Sequence, residues 1–338
     1  MTISTRLTES YGIRHPFVVA GMGFAGMRPP LAVAICEAGG IGSVGVAAMP
    51  PPALRRLITA VRAQTSAPFD VNLLGVFVTP EHIEVCAEER VPIVSFHWGH
   101  PERAVIERLH QAGCRVWEQV GSTDNAIRAV ADGVDAIVAQ GSEAAGHNYG
   151  ELPTFVQVPS IVDAVSPVPV LAAGGVSDGR GVAAALALGA DGVWVGTRMV
   201  ATVEANAHEE YKRRLVAARG TDTVRTSILG PDMPHFNPYR VLRNRVIEEF
   251  SGREAEVPTD VSSQPVVGKM TLGGEEVPLR RFNSFPVIPE MSGDFDELAM
   301  PAGEGVWLVR SIEPAAAVME RMMAEAESII AKLASAVS

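Results

Sequence analysis

Residues 170–198 read VLAAGGVSDGRGVAAALALGADGVWVGTR, and this stretch contains the same local pattern twice. Short apolar runs at residues 170–172 and 192–195 each end in small residues, as strands of a buried sheet do. Residues 179–188 between them have the alanine and leucine content of a helix. Because the helix must return the chain to the same end of the sheet, the two strands are predicted to be parallel.

The same unit recurs toward the N-terminus. Apolar runs that predict eight strands lie at residues 17–20, 41–44, 69–71, 93–96, 115–118, 136–139, 170–172 and 192–195. Helical patterns separate them, for example at residues 31–38, 53–63, 102–111 and 124–131. An open doubly wound sheet would also alternate in this way, but eight evenly spaced units favour an α/β fold closed as a (β/α)8 TIM barrel.

The strand and helix rhythm stops after residue 217. We therefore predict a barrel at residues 1–217, a C-terminal cap or lid segment at residues 218–301, and a terminal segment at residues 302–338 whose helix packs back on the barrel. Turn residues dominate the cap, where only two short helices are expected, at residues 239–250 and near Met291. Residues 314–336 form the strongest helical pattern of the chain.

Composition excludes several classes of function. The 338 residues are 47% hydrophobic and 20% charged, which is typical of a folded chain. A net charge of −11 without a block of Lys or Arg argues against nucleic acid and anionic membrane surfaces as partners. No apolar run reaches about 18 residues, so we expect a cytoplasmic protein. The three cysteines lack metal-ligand spacing, and no metal is expected.

The first predicted loop reads GMGFAG at residues 21–26, a formal match to the dinucleotide-binding fingerprint. That fingerprint also needs a carboxylate at the end of the second strand, where this chain has only Gly42, Ser43, Val44 and Gly45. We interpret Gly21 and Gly23 instead as small residues that let a flat ring approach the backbone, with a simple tight turn as the alternative.

The loops after the seventh and eighth strands predict a phosphate site. Gly174 and Gly175 follow one strand, and Gly196 and Thr197 follow the other, at the place where many such barrels bind phosphate. Their backbone N–H groups would face the anion, although glycines that only make turns remain the alternative. Asp178 must then face solvent or cap its own helix, because a carboxylate repels phosphate.

The loop at residues 140–150 follows the sixth strand and is long, polar and rich in small residues. Such a loop at the C-terminal end of a barrel strand is a functional candidate. His147 is its one base that titrates near neutrality, although an ordinary loop histidine is the alternative. His97 ends the fourth strand and is expected in the pocket ahead of His100, whereas the other histidines are expected at the surface.

Several motifs in this order resemble the nitronate monooxygenases, once called 2-nitropropane dioxygenases. The resemblance runs over residues 7–214 and 300–331. It rests on Ala20-Gly21-Met22, Gly39-Gly40, Val71-Asn72-Leu73, Val94-Ser95-Phe96-His97, Gln119-Val120-Gly121, Gln140-Gly141-Ser142-Glu143-Ala144, Gly146-His147, Ala173-Gly174-Gly175 and Gly196-Thr197.

The resemblance implies FMN over the strand ends, with Met22 and Gly23 near its ring and Asn72 and Gln119 at its polar edge. The residues assigned to the cofactor are Gly21, Met22, Gly23, Asn72, Gln119, Gln140, Gly146, Ala173, Gly174, Gly175, Gly196 and Thr197, and those assigned to the substrate pocket are His97, Phe24 and Ser142. His147 matches the family's catalytic histidine, which takes the α-proton of a nitroalkane or binds an anionic nitronate.

Two departures from the family pattern widen the choice of function. Ala145 replaces a glycine before Gly146, and Asn148-Tyr149-Gly150 follows His147 where Arg-Gly is more familiar. The first hypothesis is oxidation of a nitronate or nitroalkane by oxygen. The second is an FMN-dependent NAD(P)H reductase of enoyl thioesters or quinones, and the third is flavin binding without turnover. The expected partners are a small-molecule substrate and oxygen, and a homodimer is left open.

Overall fold

The computed structural model describes residues 3–272 and 274–337. Its main sheet has eight parallel strands: β1 (Phe17–Val19), β2 (Gly42–Gly45), β3 (Phe69–Leu74), β4 (Ile93–His97), β5 (Arg115–Val120), β6 (Ala136–Gln140), β8 (Val170–Ala173) and β9 (Gly192–Val195). The short strand β7 (Gly146–His147) belongs to another sheet. All eight predicted barrel strands are confirmed.

The eight strands close into a barrel. Their order is β1-β9-β8-β6-β5-β4-β3-β2, and a parallel bridge between Val18 and Ile41 joins the two ends. The Val19 N–H donates to the Ile41 carbonyl at 3.1 Å, and the Ile41 N–H donates to the Phe17 carbonyl at 2.9 Å. The TIM barrel predicted from the repeat is therefore confirmed.

Helices surround the barrel and continue beyond it: α1 (Arg6–Tyr11), α2 (Pro29–Glu37), α3 (Pro51–Arg62), α4 (Pro80–Glu88), α5 (Arg103–Gln111), α6 (Thr123–Ala131), α7 (Thr154–Val165), α8 (Gly179–Ala187), α9 (Thr197–Val200), α10 (Glu209–Ala217), α11 (Arg245–Phe250) and α12 (Ala315–Val337). Local signals set their starts: the Ser122 side chain accepts from the Asn125 N–H at α6. Within residues 3–272 and 274–337, we find no helix long and apolar enough to cross a bilayer.

Strand side chains alternate between two apolar clusters. Val71 and Leu73 of β3 pack outward in the large cluster between strands and helices. Ile93, Trp117 and Leu171 belong to a separate cluster inside the barrel, which also contains Leu7 of α1. These apolar side chains fill the barrel interior on the side of α1, and room for a ligand is left at the C-terminal ends of the strands.

Residues after α10 contribute to two small antiparallel sheets. In one, β10 (Thr223–Thr226) and β11 (Tyr239–Leu242) are joined by β7 from the loop after β6; the other consists of β12 (Val266–Leu272), β13 (Glu275–Arg280) and β14 (Met291–Gly293). The predicted helix at residues 239–250 is wrong in its first half, because β11 pairs with both β10 and β7. Only the second half of that prediction is helical, as α11, and the Asn244 side chain caps this helix by accepting from the Ile247 N–H. The helix predicted near Met291 is also wrong, since β14 pairs with β12 there.

The terminal helix α12 lies against α8 and α2, and the helix predicted at residues 314–336 is confirmed. Gly179 begins α8 so close to α12 that a Cβ atom on it would lie 2.4 Å from the Glu325 Cβ. The Glu325 carboxylate accepts a hydrogen bond of 2.8 Å from the Gly179 N–H. The division of the chain at residues 217 and 301 stays a prediction.

Candidate active site

A cavity opens at the C-terminal ends of the barrel strands, under the cap. Its walls include every residue assigned from the sequence to cofactor or substrate except Asn72 and Ser142, namely Gly21, Met22, Gly23, Phe24, His97, Gln119, Gln140, Gly146, His147, Ala173, Gly174, Gly175, Gly196 and Thr197. Loops far apart in sequence thus converge on one site. His100 lies outside this wall, where it hydrogen-bonds Glu118 at 2.7 Å and Asp132 at 3.0 Å.

Asn72 lies beneath the first loop rather than on the cavity wall. Its amide donates to the Ser95 hydroxyl at 2.9 Å, and Ser95 donates to the buried Asp70 carboxylate at 2.8 Å. A Cβ on Gly21 would lie 2.1 Å from the Asn72 Cβ, so the loop rests directly on this side chain. The pKa of Asp70 is raised to about 7, because burial outweighs the opposing effect of the hydrogen bonds from Ser43 and Ser95.

Ser142 also departs from its predicted place in the substrate pocket. Its N–H donates to the Leu152 carbonyl at 2.8 Å, and its carbonyl accepts from Asn148 and from Arg240. The backbone of Ser142 therefore connects the loop at residues 140–150 to the segment before α7 and to the cap.

His82 was expected at the surface, but it is buried, where it completes a capping box with Thr79 at the start of α4.

The imidazole of His147 is held by the cap. Gly146 and His147 form β7, which pairs antiparallel with Tyr239 and Arg240 of β11. The His147 Nδ1 hydrogen-bonds the Phe236 carbonyl, and because a carbonyl only accepts, Nδ1 carries the proton. The rings of Phe236 and Tyr239 stack on the imidazole with centroid distances of 3.5 Å and 4.2 Å.

This tautomer leaves the other ring nitrogen of His147, Nε2, as an acceptor. Among the described residues, Nε2 has no hydrogen-bond partner, and His147 is part of the cavity wall. Burial lowers the pKa of His147 to about 3, with repulsion from His97 adding to the effect and the bond to Phe236 opposing it. His147 is therefore a neutral base at neutral pH.

Two more side chains leave unused acceptors in this part of the protein. His97 and Gln140 both donate to the His147 carbonyl, at 3.2 Å and 3.4 Å. The His97 Nδ1 and the Gln140 Oε1 are buried and have no partner among the described residues. Burial lowers the pKa of His97 to about 4, so its ring is also neutral. Buried acceptors of this kind favour a ligand that carries hydrogen-bond donors.

Glycines and Thr197 form another part of the cavity wall, and the space beside Gly175 is open. Gly174 and Gly175 have φ angles of 107° and 72°, and Thr197 begins α9 next to them. The Gly303 N–H donates to the Thr197 hydroxyl at 3.0 Å, so the C-terminal segment contacts this part of the wall. Asp178 caps its own helix by accepting from the Arg180 N–H at 3.0 Å, which is one of its two predicted placements.

Comparison with known proteins identifies the family. The model of the nitronate monooxygenase family matches residues 4–78 and 75–325. This chain belongs to that family. A protein from Staphylococcus aureus named as a probable nitronate monooxygenase is 33% identical over 298 residues, which cover 75% of this chain and 82% of the relative. The chain is thus an oxidoreductase, as predicted from its motifs.

Other relatives of this oxidoreductase have different names. The (3aS,4S,5R,7aS)-5-hydroxy-7a-methyl-1-oxo-octahydro-1H-indene-4-carboxyl-CoA dehydrogenase of Mycobacterium tuberculosis is 40% identical over 260 residues, 75% of this chain and 71% of the relative. The structure of FabK from Thermotoga maritima aligns with a TM-score of 0.81 at 36% identity and covers 99% of both chains. Family membership is thus established, whereas the substrate is not common to these relatives.

Asn148 is a residue of this oxidoreductase whose importance the sequence did not reveal. It directly follows His147, where the family more often has Arg-Gly, and it is fully buried. Its side-chain amide donates to the carbonyls of Gly141, Ser142 and Ala144 at 3.1, 3.2 and 3.1 Å, and its Oδ1 accepts from the Gly150 N–H at 2.9 Å. One side chain thus holds the loop that carries His147.

We expect Asn148→Asp to lower the thermal unfolding midpoint and the turnover rate together. The carboxylate would face three carbonyl oxygens without a proton to donate, and each unsatisfied buried group costs roughly 1 to 3 kcal/mol. Differential scanning calorimetry measures the effect. Asn125→Asp in the first turn of α6 is the control and should cost nothing, because a carboxylate near a helix N-terminus is favourable. Equal midpoints for both variants would contradict this role of Asn148.

The site also predicts an unusual pH profile. Because the pKa of His147 is lowered to about 3, its imidazole stays neutral through the range in which an ordinary histidine gains its proton. For a reaction in which this imidazole removes a proton from the substrate, we expect kcat/KM to stay level from about pH 8 to about pH 5 and to fall only at lower pH. Short assays after a pH jump measure it. A decline centred near pH 6.5 would show that His147 is not buried as described.

Proposed function

We propose that this oxidoreductase binds FMN and oxidises nitroalkanes or alkyl nitronates with molecular oxygen, with His147 as the base that removes the α-proton. The observation that carries this proposal is the His147 imidazole, which lines the cavity and whose Nδ1 is bonded to the Phe236 carbonyl, so that Nε2 carries the lone pair. A nitroalkane is inert until its α-proton is removed, and a fixed neutral imidazole has a lone pair that can accept that proton.

The residues of the cavity fit FMN. A cradle of Gly174, Gly175, Gly196 and Thr197 would hold the phosphate through backbone N–H groups, as anions are held at other strand and helix ends. The acceptors left on Gln140 and His97 suit a ligand with N–H groups, which the flavin ring provides. When bound, the flavin would supply the electron transfer between the substrate and oxygen.

The geometry supports the base role of His147 over its role as an anion partner. An anionic nitronate would need a donor or a positive charge at Nε2, but in the Nδ1–H tautomer Nε2 offers only a lone pair. In the described residues, no lysine or arginine lines the cavity, and the Glu143 carboxylate already accepts from the Thr154 N–H and hydroxyl. The neutral nitroalkane is therefore the better match for this site.

Aromatic side chains form part of the cavity wall. Phe24 of the first loop contacts Phe285 of the cap with ring centroids 5.6 Å apart, and Phe77 contacts Phe236 at 6.0 Å. These phenylalanines all line the cavity. The wall favours an apolar substituent on the nitro compound, since each buried methylene contributes about 0.8 kcal/mol.

A second candidate is an FMN-dependent reductase that takes hydride from NAD(P)H and passes it to an enoyl thioester or a quinone. The observation that favours it is the 40% identity to a dehydrogenase whose named substrate is a CoA thioester. The apolar wall would suit an acyl group as well as an alkyl group. Fold-level likeness does not separate the two reactions.

Anaerobic mixing separates the two candidates. The purified holoprotein is mixed without oxygen with nitroethane, with propyl-2-nitronate or with NADH, and the visible flavin absorbance is followed. The proposal predicts rapid bleaching by a nitro compound and slow bleaching by NADH. Rapid bleaching by NADH with no response to either nitro compound would reject the proposal in favour of the reductase.

We further expect no tight NAD binding by flavin-free protein. In the first loop, a Cβ on Gly26 would lie 2.9 Å from the Met22 carbonyl oxygen, so the turn closes on itself. The ribose carboxylate of a dinucleotide site is also missing after β2. Calorimetric titration of flavin-free protein with NAD tests this, and a submicromolar dissociation constant would restore the dinucleotide interpretation of residues 21–26.

A further inference from the structure

Trp98 follows β4 directly and holds a backbone conformation that is unusual for a large side chain. Its φ angle is +56°, in the left-handed region that bulky residues avoid. Gly75 of the neighbouring loop packs against it, and a Cβ there would lie 2.7 Å from the Trp98 carbonyl oxygen. A strained residue of this kind persists only where the surrounding structure imposes it, often near a functional site.

The side chain of Trp98 joins the barrel to the cap. Its indole N–H donates to the His235 carbonyl at 2.7 Å. Its ring meets the ring of Phe236 edge-on, with centroids 5.2 Å apart and an interplanar angle of 88°. It meets Tyr149 in the same way at 4.6 Å. Trp98 is not part of the cavity wall, so these contacts do not involve the proposed ligands.

The cap turn that Trp98 contacts is also the turn that orients His147. Residues 234–236 form one 3-10 turn, in which the His235 carbonyl accepts from Trp98 and the Phe236 carbonyl accepts from the His147 Nδ1. The Phe236 ring also stacks on the imidazole. Two consecutive carbonyls of one short turn therefore connect Trp98 to the base.

We propose that Trp98 is a positioning residue for His147: its indole N–H fixes the turn at residues 234–236, and that turn fixes the orientation and the Nδ1–H tautomer of the imidazole. The inference rests on the proposed function for the role of His147 as base. The geometric link itself can be tested without turnover.

Trp98→Phe removes the N–H group and keeps an aromatic ring for the edge contacts. With unchanged FMN content, we expect the rate of anaerobic flavin reduction by nitroethane to fall about 2- to 12-fold, the effect of losing one hydrogen bond. Reduction by preformed propyl-2-nitronate needs no base and should change less. The ratio of the two rates is therefore the quantity that a merely structural role would leave unchanged.

Trp117→Phe is a matched control at the other end of the barrel. The Trp117 indole N–H donates to the Tyr11 hydroxyl at 2.6 Å, and the two rings meet edge-on at 5.2 Å. This variant also loses one indole hydrogen bond. It should lower stability without changing the ratio of the nitroethane and nitronate rates. A change of that ratio equal to the change in Trp98→Phe would overturn the proposal.

Histidine NMR titration gives a readout that does not depend on the reaction. The pKa of His147 is lowered to about 3 by burial and further by the neighbouring His97. When the turn loosens in Trp98→Phe, water reaches the ring and its titration should move toward the ordinary histidine range, with His147→Ala used to assign the signal. An unchanged titration together with an unchanged rate ratio would refute the role of Trp98. If the parent protein oxidises neither nitro compound, the proposed function fails and the titration alone decides the link.

Discussion

His147→Ala should retain FMN and lose about 10²- to 10⁴-fold in its rate with a neutral nitroalkane, because general-base catalysis typically contributes that much. A preformed nitronate has already lost its proton, so its rate should fall by a much smaller factor. Stopped-flow reduction with nitroethane and with propyl-2-nitronate measures the two effects separately. The difference between them identifies proton removal as the step that needs His147.

The expected retention of FMN follows from where His147 is held. Its ring nitrogen Nδ1 bonds the Phe236 carbonyl in the cap and not a residue of the glycine cradle. His147→Gln is a useful companion, since it keeps a polar side chain of similar size without a base. Parental activity of both variants on nitroethane would remove His147 from the mechanism and make His97, whose Nδ1 has no partner among the described residues, the next candidate.

Gly175→Leu should abolish stable FMN binding. The space beside Gly175 is open: a Cβ added there would lie 4.0 Å from its nearest neighbours, which are atoms of Glu143. A larger side chain would therefore extend into the proposed phosphate site. The fraction of purified protein that carries flavin, measured from the visible and ultraviolet absorbance, checks this. Gly196→Leu should also lose FMN. The φ angle of Gly196 is −100°, outside the left-handed region, so the loss there would come from the volume of the side chain and not from backbone strain.

Gly252→Leu is the matched control for backbone strain. Gly252 has a φ of 74°, close to the 72° of Gly175, and no atom lies within 4 Å of a Cβ placed on it. Both substitutions therefore carry the same conformational cost, and only one of them fills the cavity. Full flavin content in Gly175→Leu, or an equal loss in Gly252→Leu, would show that Gly174 and Gly175 only make a turn.

The amino-acid sequence by itself determined the barrel and most of the cavity wall. Strand and helix patterns depend on neighbours a few residues apart, and the loops after parallel strands must meet at one end of the barrel. Positions such as Gly175, Gly196 and Gln140 could therefore be placed in one site before any contact was known. The loop holding His147 could be recognised for the same reason, from its length and composition after β6.

Only the tertiary structure decided what holds the base in place. The pairing of His147 with Tyr239, the carbonyl of Phe236 and the bond from Trp98 to His235 join segments about 90 to 140 residues apart along the chain. Local pattern carries no information about such contacts, which is why residues 239–242 were expected to be helical. The sequence pattern could therefore identify His147 as a candidate, but its orientation and protonation depend on contacts with the cap that only the folded structure shows.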